Sequence, residues 1–151
     1  MIKGALTLFI LLIMYGQIQA QVNWLSFEQL DSALTSQPKP VLIEFYTEWC
    51  TYCKKMDQEV FTDKDVINDL NASFYAVRFD AETQRTVAFD GFEFIREQNA
   101  NFHQLAMSLA SQNSQFTPPA LIFFDKEFNV TERIFSYQSR KRLLAKLKKH
   151  R

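Results

Sequence analysis

The two cysteines of this 151-residue chain stand three residues apart, as Cys50 and Cys53, where an apolar run gives way to a helical stretch. Val41-Leu-Ile-Glu-Phe-Tyr46 does not alternate between apolar and polar residues, so it reads as a strand covered on both faces. The residues after Cys50, with Lys54, Lys55, Met56 and Val60, turn helical. Closing a loop of about four residues gains roughly 2 kcal/mol in the chain-entropy model, against about 3 for a fifteen-residue loop, so the pair is a poor staple. At a helix start it is a good switch, because the helix N-terminus stabilises a thiolate on the first cysteine. Cys50 is then the attacking nucleophile and Cys53 the resolving thiol that breaks a mixed disulfide. Half of a zinc site is the other reading of a C-x-x-C pair, but the chain has no second pair and only His103 and His150 to complete it. We therefore expect no metal.

Composition removes other chemistries. Glycine occurs only at Gly4, Gly16 and Gly91, so no glycine-rich phosphate loop can be written. A hydrophobic content of 47% argues against disorder, and 17 basic against 17 acidic residues against wholesale nucleic-acid binding. The charge is segregated: seven cations lie in residues 140–151, while residues 21–139 hold nine basic and seventeen acidic side chains. The tail reads as a solvated closing helix with a Leu143, Leu144, Leu147 stripe, or alternatively as a patch for anionic lipid or an acidic partner.

Lys3, the apolar run Leu6–Met14 and the exit Ile18-Gln-Ala20 follow the order of a secretory signal peptide, residues 1–20, cleaved near Ala20. An uncleaved anchor is the alternative, although the run falls short of the roughly 20 residues that span a bilayer. The expectation is a single exported domain over 21–151, periplasmic or secreted, where disulfides persist. Asn71-Ala-Ser73 and Asn129-Val-Thr131 match glycosylation sequons, matches short enough to arise by chance.

Local signals alternate along this domain. Ser26 and Gln29 make a capping box for a helix through about Ser36, stopped by Pro38-Lys-Pro40. After the cysteine helix, Thr62 is expected to cap a short helix carrying Val66, Ile67 and Leu70, and Phe74–Phe79 alternates as a strand. Within an insertion, Asp90-Gly91 between two apolar stretches predicts a tight hairpin. A helix over about Phe102–Ser111, a buried strand Ala120–Phe124 after Thr117-Pro118-Pro119, a partner strand Val130–Phe135 and the basic helix complete the order. This is an α/β domain: a central mixed sheet of four to five strands flanked by helices, with a β-hairpin insertion around 81–101.

Phe45-Tyr-Thr-Glu-Trp-Cys-Thr-Tyr-Cys-Lys-Lys55 resembles the active-site stretch of the thioredoxin superfamily, and Pro119-Ala-Leu-Ile-Phe-Phe124 resembles its cis-proline strand. The similarity runs from about Trp24 to Lys149 and is greatest to exported bacterial thiol-disulfide oxidoreductases with extra residues after the third strand. It implies a thioredoxin fold with Glu44 as the buried acid beneath the active site, where desolvation raises its pKa and suits it to exchange a proton with Cys53. It implies that Trp49 shields the disulfide and offers an apolar contact, that Arg78 lies near the position of the acid's cationic partner, and that Pro119 carries the cis bond, with Thr117-Pro118 as the alternative register. Pro118 departs from the family pattern because it has no N–H to pair with an extended substrate, leaving its carbonyl and apolar contacts to hold one.

The resemblance implies an enzyme that exchanges disulfides with exported proteins, as a monomer, without metal or organic cofactor, served by an upstream electron donor or acceptor. Thr51-Tyr52 lacks the histidine of strongly oxidising relatives, which points to a reductant. The reading from another class is a peptide-binding or chaperone-like module, with the Phe-rich hairpin at 86–95 as its contact surface.

Overall fold

Strand β2, Val41–Tyr46, occupies the middle of a five-stranded sheet because its apolar side chains can be covered on both sides. The computed structural model describes residues 20–151, so the expected signal peptide, apart from Ala20, lies outside the described residues. In chain order the elements are β1 (Trp24–Leu25), α1 (Phe27–Ser36), β2, α2 (Thr51–Glu59), α3 (Lys64–Ser73), β3 (Tyr75–Asp80), β4 (Val87–Phe89) and β5 (Phe92–Phe94). There follow α4 (Gln104–Ala110), β6 (Ser111–Gln112), β7 (Gln115–Phe116), β8 (Ala120–Phe124), β9 (Val130–Ile134) and α5 (Arg140–His150).

The central order is β1-β3-β2-β8-β9, with β1 and β2 parallel to β3 and with β8 antiparallel to both β2 and β9. Alternation in β2 divides the core. Val41, Ile43 and Phe45 pack beneath α1, α4 and the β4–β5 hairpin, while Leu42 joins Met56, Leu70, Leu143 and Leu147 from the α2, α3 and α5 side. Glu44 follows Leu42 on this second face and is fully buried.

The local expectations hold at most boundaries. Ser26 and Gln29 form the capping box, and Asp90 and Gly91, with φ of 51° and 74°, make the left-handed turn between β4 and β5. Thr62 is not a cap. Its hydroxyl closes the preceding helix by donating to the Gln58 carbonyl, while Asp63 Oδ1 accepts the Asp65 and Val66 amides at 3.0 and 3.2 Å. The helix expected from Phe102 starts at Gln104, capped by the buried His103, whose Nδ1 accepts the Leu105 amide at 3.2 Å. Burial lowers the pKa of His103, and its Nε2 lies 3.1 Å from the Arg85 carbonyl, so the imidazole is a neutral structural clip.

The two-residue strands β1, β6 and β7 carry no readable periodicity, and the β6–β7 turn uses Asn113 and Ser114 at positive φ without glycine. The hairpin at 86–95 is less exposed than its composition implies: Val87 and Phe89 are core residues, and only Phe92 and Ile95 stand out in solvent as large apolar side chains there.

The basic tail is held by the acidic body. Arg140 pairs with Asp63 and Asp65, Arg151 with Asp69, and Lys146, Lys149 and His150 converge on Glu132. Burial opposes ionisation of Glu132, but hydrogen bonds from Lys146, His150 and Lys149 outweigh it and draw its pKa down to about 2. Among the described residues only Lys141, Arg142 and Lys148 of the seven tail cations lack a carboxylate partner, which favours the closing-helix reading.

Leu42→Ala, which empties a fully buried position under α2, is expected to cost about 2–5 kcal/mol in denaturant unfolding. Gly91→Ala should cost about 1–2 kcal/mol, because no atom lies within 4 Å of the added Cβ and only its φ of 74° resists the change.

Candidate active site

Three segments far apart in sequence meet at one end of the sheet. Tyr46 ends β2 and pairs with Asp80 at the end of β3, and the Ala81 amide donates to the Tyr46 carbonyl at 2.8 Å. Phe45 pairs with Ala120, so the Pro118–Pro119 bond, which is cis, enters β8 at this same end. The Cys50–Cys53 turn follows β2 by four residues and completes the cluster.

Cys50 is the N-cap of α2, and its sulfur accepts the Cys53 amide at 3.1 Å. Helix geometry therefore aims both an N–H and the positive end of the helix at the sulfur that would carry negative charge after reduction. The two cysteines are joined as a disulfide with Cα atoms 5.3 Å apart, and both are buried, Cys50 being only 4% exposed. Trp49 and Tyr52 on either side are 60% and 61% exposed. Trp49 is thus a surface residue beside the disulfide rather than a core aromatic, and its indole N–H donates to Glu82 Oε1 at 3.0 Å. Pro119 is buried and Pro118 half-buried.

Beneath this surface Glu44 pairs in register with Arg78 of β3 and Leu121 of β8. The Arg78 Nε lies 3.1 Å from Glu44 Oε2, close enough for an ion pair but not aligned as a hydrogen bond, and neither Glu44 oxygen has a directed donor. The guanidinium turns its Nη2 instead to Asp57, at 2.5 Å, and lies 4.2 Å from the centre of the Tyr46 ring. Desolvation raises the Glu44 pKa to about 8; the Arg78 charge opposes this rise and the Asp57 charge adds to it. A pocket of about 190 Å³ lined by Tyr46, Thr47, Glu48, Cys53, Lys54, Asp57 and Arg78 reaches from the inner cysteine to the partners of Glu44.

The structure therefore brings Cys50, Cys53, Glu44, Trp49, Pro118 and Pro119 to one end of the fold, and it adds Asp57 and Glu82. Asp57 carried an unused signal, since it lies four residues after Cys53 on the helix face that also buries Met56. Glu82 carried none, because its link to Trp49 spans 33 residues. No group of three or more potential metal ligands occurs among the described residues.

A thioredoxin-like domain family matches residues 27–151. The chain is 30% identical over 128 residues to the thiol:disulfide interchange protein DsbD of Ralstonia nicotianae, an alignment covering 82% of this chain and 18% of that protein. It thus spans less than a fifth of that relative's length. Among solved structures, a DsbH oxidoreductase superposes with a TM-score of 0.60 at 19% identity, covering 89% of this chain and 88% of the other. The reduced C-terminal domain of DsbD from Neisseria meningitidis gives 0.55 at 18% identity, covering 81% and 90%. At these identities both likenesses speak for the fold alone.

The pKa of Glu44 gives stability a sign. The carboxyl keeps its proton in the fold to about 8 but releases it near 4.5 when exposed, so between those values the folded state binds more protons and stability falls as pH rises. The slope approaches about 1.4 kcal/mol per pH unit, with the contribution fully present below 4.5. Denaturant unfolding at about pH 5, 6 and 7 should show this slope in the wild type and its absence in Glu44→Gln. Equal slopes would mean that Glu44 is ionised in the fold.

Proposed function

The chain belongs to the thioredoxin-like family, and on that footing we propose that it is a protein thiol-disulfide oxidoreductase that reduces disulfides of exported proteins. The observation that carries the reading is the Cys50 sulfur at the helix N-cap, bonded to Cys53 and accepting its amide, at the sheet end where the cis Pro118–Pro119 bond also lies. The name of the Ralstonia nicotianae relative, a thiol:disulfide interchange protein, agrees with this chemistry.

In the reducing direction the Cys50 thiolate attacks one sulfur of a substrate disulfide, forming a mixed disulfide and releasing the other substrate sulfur as a thiolate that takes up a proton. Cys53 then loses its proton and attacks Cys50 Sγ, which expels the second substrate thiolate and leaves the Cys50–Cys53 disulfide. Two electrons pass to the substrate, and a dithiol donor restores them by the reverse sequence. A carboxyl with a pKa of about 8 suits the proton step, since near neutral pH it can both accept the Cys53 proton and return it. The pocket joining Cys53 to Asp57 and Arg78 is polar and large enough for water to take that proton as far as Arg78, whose Nε faces Glu44 at 3.1 Å. Trp49 and the Pro118 carbonyl supply the contacts to substrate, with Pro119 shaping the strand that presents them.

Thr51-Tyr52 supplies no cationic donor between the cysteines, so the Cys50 thiolate and with it the dithiol form are less stabilised, which lowers the reduction potential and supports the reducing direction. We place the domain outside the cytoplasm after removal of residues 1–20, acting as a monomer without metal or organic cofactor. Exposed Phe92 and Ile95 favour a second reading, a peptide-binding module using the hairpin.

Cys50→Ser is expected to abolish reduction of insulin disulfides, and Cys53→Ser to accumulate a mixed disulfide visible on a non-reducing gel. Activity surviving Cys50→Ser would sink the proposal; client binding lost only on trimming the hairpin would favour the second reading. A glutathione titration of the folded domain should place its potential nearer about −270 than about −120 mV.

A further inference from the structure

The insertion after β3 and the disulfide meet at one residue, Glu82. Its amide donates to Asp80 Oδ1 at 2.9 Å, its carboxylate accepts the Trp49 indole N–H at 3.0 Å, and its carbonyl accepts from Arg96 Nη1 at 2.5 Å. The half-buried Arg96 also donates through Nε to the Ala100 carbonyl, at 2.9 Å. Among the described residues it has no carboxylate partner. A guanidinium offers several donors in a rigid fork, and here the fork clasps two backbone carbonyls at opposite ends of the insertion.

The neighbouring backbone is already fixed by the Ala81 amide on Tyr46 and by the His103 amide on the Ala81 carbonyl, at 2.8 and 2.7 Å. What remains to be set at Glu82 is the direction of its carbonyl and side chain, and that is where Arg96 acts. Trp49, at 60% exposure, has little packing of its own to hold it, so its position beside a nearly buried Cys50 depends on the Glu82 carboxylate.

We propose that Arg96 is a positioning residue which, by clasping Glu82, holds the Trp49 indole beside the disulfide, so that the insertion sets how well polypeptide disulfides reach Cys50. The inference rests on the thiol-disulfide reading above. A small disulfide needs only the sulfur, whereas a polypeptide must lie across Trp49, and an indole ordered in advance spares the encounter that entropy.

Trp24→Phe leaves Trp49 as the single tryptophan, so its emission and anisotropy report on the indole directly. In that background Arg96→Ala should lower Trp49 anisotropy and shift its emission. It should also slow insulin reduction about fivefold, the equivalent of about one hydrogen bond, while reduction of a small aromatic disulfide changes less than about twofold. Arg96→Lys, which keeps charge and stem but lacks the rigid fork whose separate nitrogens reach the Glu82 and Ala100 carbonyls, should give the same signature and guards against a folding defect. Arg96→Ala combined with Glu82→Ala should be no slower than Glu82→Ala alone, because the two act in series. Wild-type anisotropy and an unchanged insulin-to-small-disulfide ratio in both Arg96 variants would overturn the proposal, as would independent effects of Arg96 and Glu82. If the wild type reduces neither substrate, the oxidoreductase reading fails, and the anisotropy still decides whether Arg96 holds Trp49.

Discussion

A carboxyl group with no access to solvent sits on the central strand of the sheet, and much of the surrounding arrangement answers to it. Ionised and alone, Glu44 would cost several kcal/mol to bury, so it needs either a proton or a cation. It has part of each. Arg78 stands at ion-pair distance but is drawn toward Asp57 and laid over Tyr46, which leaves Glu44 under-compensated and its pKa near 8. A better-paired acid would stay ionised throughout, and an apolar residue would have no proton to exchange. The poor satisfaction of Glu44 is a defect for stability, and such defects concentrate where chemistry is done.

The same economy governs the charges at the other end of the chain. A body rich in acid and a tail rich in base would repel within themselves, and the fold lays one on the other: Glu132 gathers Lys146, Lys149 and His150, while Asp63, Asp65 and Asp69 take Arg140 and Arg151. His150 also stacks on Phe123, with ring centroids 4.6 Å apart. The tail is thereby a docked helix that covers the second core through Leu143 and Leu147. Exposed pairs of this kind contribute little individually, so the leucines fix the helix and the charges set its register.

Elements with a strong local cause were legible. The continuous apolar runs at 41–46 and 120–124, the capping box at Ser26 and the turn at Asp90-Gly91 each follow from a few adjacent residues. Boundaries decided by competition were not. Asp63 took the cap expected of Thr62 because the threonine hydroxyl was used by the preceding helix, and a buried histidine capped α4 where a polar cap was not anticipated. The short strands β1, β6 and β7 exist only because a neighbour offers partners, as β3 does for Trp24 and Leu25.

By itself the sequence determined the C-x-x-C pair and its place at a helix start after a buried strand, because these depend on spacing along one strand and one helix, while the family resemblance pointed to Glu44 as the acid beneath it. Only the tertiary structure decided which groups surround that acid and that disulfide. Arg78, Glu82 and the cis Pro118–Pro119 bond come from separate segments, and they meet because strand pairing sets Tyr46 beside Asp80 and Phe45 beside Ala120. Register across a sheet fixes such neighbours by backbone hydrogen bonds between distant residues, a relation that no local pattern in the chain records.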